Sequence, residues 1–128
     1  MYEPFSHRCI QILYIFLGVV INSMLSIAVV AYNFELSCKA IKILAKNDAN
    51  SKPKIIYKDK IIMNDNTRYQ AFPTYNHARD CWIDQIILVD DFRWHVYDQQ
   101  YELIDWLKLR LYCTSNVPEE FQIQRYEW

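Results

Sequence analysis

Hydrophobic and polar positions divide this chain sharply near residue 33. Residues 12–32 read ILYIFLGVVINSMLSIAVVAY, 21 positions without a charge. At about 1.5 Å per residue, a helix of that length spans roughly 30 Å, the thickness of a bilayer's hydrocarbon core. The pattern therefore predicts a single transmembrane helix over residues 9–33. Tyr14 and Tyr32 stand where aromatic rings favour the membrane interface. Gly18, Asn22 and Ser26 recur every fourth residue and would line one stripe of that helix, where small and hydrogen-bonding side chains let a second helix approach.

After residue 33 the apolar positions become periodic. Phe34, Ile41 and Leu44 recur at helical spacing, with Glu35, Lys39, Lys42 and Lys46 elsewhere around the turn, so residues 34–47 read as an amphipathic extension of the same helix. The turn-forming stretch NDANSKP closes it. KIIYKDKIIM, residues 54–63, has β-branched residues either side of a charged middle and reads as a strand or hairpin arm. Residues 64–76 read as loop. Trp82, Ile86 and Val89 predict a helix over 77–92, and Leu103, Trp106, Leu107 and Leu111 predict another over 101–112.

The expected architecture is thus mostly α. A polar flank (1–8), the membrane helix (9–33) and its extension (34–47) precede a small α+β soluble domain (48–113) and an extended tail (114–128). Phe121, Tyr126 and Trp128 in that tail are candidates for docking on another surface. A shorter apolar run ending at Ala31 would instead suit a cleaved signal peptide and a secreted product. The run is longer than such peptides use and its start is barely basic, which favours a retained anchor.

Composition narrows the chemistry. A net charge of −1 argues against a nucleic-acid binder. A single glycine excludes the glycine-rich phosphate cradles, and with them nucleotide binding of those kinds. Ten Tyr, six Phe and four Trp are a high aromatic load, suited to contact surfaces as well as to a core. Cys9, Cys38, Cys81 and Cys113 form no C-x-x-C pair, so no zinc site is expected, although the sequence permits a Cys81–Cys113 disulfide. His77, Asp80 and Cys81 lie close together, with His95 and Asp98 further on, but no base–orienter relation accompanies them.

The sequence therefore predicts no catalytic residues, no metal and no cofactor. It predicts a non-catalytic accessory subunit of a larger membrane complex, with other membrane subunits and the lipid bilayer as partners. The mitochondrial inner membrane and the bacterial envelope are the settings it suggests. A free-standing anchored binding protein, of the immunity, exclusion or envelope type, is the alternative.

Overall fold

A computed structural model of the chain describes residues 25–89 and 98–127. Its centre is strand β1, Ser26–Val30, and this overturns the expected architecture. The sequence SIAVV is rich in β-branched residues, and all five positions are buried. Such a run, apolar on both faces, is what an interior parallel strand requires. It lies inside the stretch that the charge-free pattern assigns to a membrane helix. No helix among the described residues is long and apolar enough to cross a membrane. The single-pass fold and the integral-membrane placement are corrected accordingly. Of the proposed packing stripe, Ser26 belongs to a strand, and Gly18 and Asn22 lie outside the described residues.

Helix α1, Phe34–Asn47, follows directly. It does not continue an upstream helix. Asn33 is extended, and its Oδ1 accepts from the Leu36 N–H at 2.8 Å, a side-chain cap that starts a new helix. The Ser37 hydroxyl donates to the Asn33 carbonyl and accepts from the Ala31 N–H, which fixes the turn from strand to helix. The chain then forms β2 (Pro53–Ile56), β3 (Lys60–Met63) and β4 (Arg68–Gln70) as an antiparallel meander. Asn66, at φ 69°, takes the left-handed turn between β3 and β4, a conformation that asparagine tolerates. A single helical turn, α2 (Tyr75–Ala78), leads to β5, Gln85–Val89.

Here too the helical spacing of Trp82, Ile86 and Val89 misleads. QIILV is a run of β-branched and aliphatic residues whose neighbours face opposite ways, Ile86 into one apolar cluster and Ile87 into the other. Helix α3, Asp98–Thr114, falls where the Leu103–Leu111 periodicity predicts it. The presumed tail is part of the fold. It forms the short helix α4 (Glu119–Gln122) and strand β6 (Ile123–Tyr126), which pairs in parallel with β5.

The six strands lie in the order β2-β3-β4-β1-β5-β6, with β4, β1, β5 and β6 parallel. Helix α1 covers one face through Cys38, Ile41, Leu44 and Ala45, packed over Ile27, Val29, Ile61, Met63 and Ile87. Helix α3 covers the other through Leu103, Ile104, Leu107 and Leu111, packed over Ala28, Val30, Phe72 and Ile86. A central strand with a helix on each face explains why β1 needs no polar side.

Candidate interaction surface

The structure brings together none of the sequence-level catalytic candidates. Cys81 Sγ lies 3.3 Å from the main-chain carbonyl of His77, while the His77 ring meets Thr74 Oγ1 through Nδ1 at 2.9 Å. The two groups of a nucleophile–base pair are thus each engaged elsewhere. Among the described residues no group of three or more His, Cys, Asp or Glu could hold a metal ion. His95 lies outside the described residues.

Cys81 and Cys113 are free thiols, so the disulfide that the sequence permits is not formed in this structure. Cys113 is exposed on the last turn of α3, whereas Cys38 is buried under α1. Burial, and then the nearby Glu35 carboxylate, push the Cys38 thiol above its ordinary range. A thiol attacks as the thiolate, so exposure favours Cys113, while burial and a raised pKa both protect Cys38. In the folded protein, iodoacetamide is expected to label Cys113 rapidly and Cys38 only after denaturation. Peptide mass mapping of a time course reads this directly, and early labelling of Cys38 would contradict the packing of α1.

The tail residues also find places within the chain. Phe121 is half-buried against the α1-side cluster, and Tyr126 is buried in it at the end of β6. Both serve the chain's own core, and Trp128 lies outside the described residues.

What remains outside is a different set of apolar residues. Leu107 and Leu111 of α3 point into the core, while Leu109, about 200° around the helix from Leu107, points out and is 54% exposed. Tyr112, one turn on, is 83% exposed. Beside them, Ile123 at the start of β6 is 41% exposed. Between α3 and the α4–β6 segment runs a groove of about 290 Å³, lined by Lys108, Leu111, Tyr112, Glu119, Gln122 and Ile123. Its apolar floor has a cation on the helix rim and a carboxylate on the opposite rim. An apolar centre with a charged edge is the usual anatomy of a protein contact, and tyrosine is among the residues that carry most binding energy there.

Sequence reasoning missed this surface, because Tyr112 and Ile123 meet only when β6 lies beside the helix. Leu107, Leu109, Leu111 and Cys113 alternate as in a strand. Once the segment is helical, that alternation necessarily leaves Leu109 unburied. No protein-family model matches the chain, and comparison with curated proteins and with solved structures gives no match.

Proposed function

We propose that this chain is a non-catalytic accessory protein that acts by docking onto another protein, and that the α3–β6 groove is the surface it uses. The observation that carries the reading is the exposure of Tyr112 and Ile123, two large apolar side chains that line one groove. Scattered apolar residues are ordinary on a surface, but large exposed ones facing each other across a cleft mark an interaction site. The partner that fits is an amphipathic helix. Its apolar stripe would fill the groove, with an acid placed for Lys108 and a base placed for Glu119. The role thus rests on a surface of the folded domain.

Tyr112→Ser combined with Ile123→Thr tests it. Both side chains face solvent, so the melting temperature is expected to move little. Two truncated anchors typically cost at least 2 kcal/mol, or about 30-fold in affinity. On native electrophoresis of gently lysed cells, the tagged parent should migrate in a larger assembly and the double variant as the free chain. If both migrate alike, the reading fails. If the purified chain alone self-associates, and does so only with Tyr112 present, the occupant is a second copy and the partner named here is wrong.

A further inference from the structure

The opposite end of the sheet carries a second feature, built from different elements. Strands β4, β1 and β5 run parallel and end together. The chain leaves β1 through α1 toward the β2–β4 side, and leaves β5 through α3 toward β6. Adjacent strands whose connections depart in opposite directions open a crevice beyond their C-terminal ends, where open α/β sheets bind ligands. A cavity lies there, of about 280 Å³, lined by Asn33, Phe34, Pro73, Thr74, Tyr75, Gln100, Glu102 and Leu103. Topology and cavity are independent observations, and they coincide.

The lining is held in place. Gln100 is 7% exposed, and its Nε2 donates to the Ala31 carbonyl at 2.7 Å, tying the first turns of α3 to the end of β1. Asn33 is fixed as the α1 cap. The Tyr75 ring stacks on Trp106, with centroids 5.3 Å apart and planes within 10°. Thr74 is held by His77.

The chemistry of the lining selects the ligand. Among the described lining residues Glu102 is the one charged group, and none is Lys, Arg or His. Glu35 in the first turn of α1 offsets the positive end of that helix. Among these lining residues an anion would find a carboxylate and no cation. The side chains of Asn33, Thr74 and Gln100 offer oxygen acceptors and Tyr75 offers an aromatic ring of the kind that attracts cations, as the Phe34 ring already does for Lys58 Nζ, 6.0 Å from its centroid. The volume falls just below the roughly 300–1,000 Å³ of pockets for drug-sized ligands, so the ligand is small. We propose that this crevice binds a small organic cation, an amine or alkylammonium, with Glu102 as its counter-ion.

The test is an amide NMR titration of the full chain with choline chloride and with putrescine, against sodium acetate and sodium chloride at matched ionic strength. Saturable shifts confined to Asn33, Thr74, Tyr75, Gln100 and Glu102 are expected with one of the amines alone. Glu102→Gln should weaken that binding about tenfold, and Glu102→Asp should retain most of it. Glu102 is exposed, so neither change should alter the melting temperature. No saturable shift in the millimolar range, shifts matched by sodium chloride, or saturation by acetate instead would each overturn the proposal. So would binding that survives unchanged in Glu102→Gln.

Discussion

Replacing Val29 with aspartate is expected to unfold the domain. Val29 is fully buried in the middle of β1, the interior strand of the sheet, and packs in the cluster beneath α1. An aspartate there either stays ionised without a partner, at a cost of several kcal/mol, or takes up a proton and leaves an unpaired carboxyl, at roughly 2–7 kcal/mol. The lost valine burial adds about 1.5–3 kcal/mol. The sum approaches the roughly 5–15 kcal/mol that holds a domain together. A thermal melt should lose its cooperative transition, or show it at a much lower temperature. Ile56→Asp is the matched control, because Ile56 sits on the exposed edge strand β2. That change is expected to move the transition by no more than a surface substitution does. The comparison separates the two readings of residues 12–32 sharply. An anchor that merely preceded a domain beginning at α1 would tolerate Val29→Asp with an unchanged melt, and that result would remove β1 from the core.

The legible and illegible parts of this fold divide along one physical line. Amphipathic elements were readable because their periodicity records one buried face. Helix α1 shows it in Ile41 and Leu44 set against Lys42 and Lys46, and α3 shows it in Leu103, Leu107 and Leu111. The β-branched pairs of residues 54–63 marked extended structure there, but as one strand or hairpin arm, whereas the charged middle is the turn between the two paired strands β2 and β3. Elements buried on both faces carry no period, and there the sequence is ambiguous. SIAVV in β1 is apolar at every position but its first, so it merges with the apolar residues before it into what looks like one long span. QIILV in β5 is the same case, and the spacing of Trp82, Ile86 and Val89 lends it a false helical period.

The tail was misread for another reason. Ile123 to Tyr126 is short, half-exposed and polar at Gln124 and Arg125, and only its partner β5 makes it a strand. The same limit applies to function. The α3–β6 groove needs Lys108 and Tyr112 brought beside Glu119 and Ile123, and the C-terminal crevice needs Asn33, Thr74 and Glu102 brought together. No local spacing records either meeting, because both are made by the order of the strands.

Asp84→Ala is expected to cost about 3 kcal/mol. Asp84 is 4% exposed at the N-terminal end of β5. Its Oδ2 accepts from the Ser26 N–H at 3.0 Å and its Oδ1 from the Trp82 indole at 2.8 Å. Its own N–H donates to the Ser26 carbonyl, and its carbonyl accepts from the Ser115 hydroxyl. The carboxylate thus closes the entry of β1 against β5, and Arg68 adds a bond to Ser26 Oγ at 3.0 Å. Hydrogen bonds to a charged acceptor contribute about 1.5–3 kcal/mol each, and truncation leaves the Ser26 N–H buried and unpaired. The melting temperature should fall by about 10 °C.

Asp84→Asn should be nearly as harmful. Both carboxylate oxygens accept, and an amide must turn its NH₂ toward one of the two donors. Trp82→Phe removes only the half-exposed donor and should cost about 1 kcal/mol or less. If Asp84→Ala melted no lower than Trp82→Phe, the carboxylate would not be joining the two strands. The ordering also separates structure from function in this sheet. This buried polar cluster has its partners within the fold, at the N-terminal ends of β1 and β5, while the crevice lies at their C-terminal ends. Glu102→Gln should therefore weaken binding and leave the melt alone, and a change at Asp84 should lower the melt first.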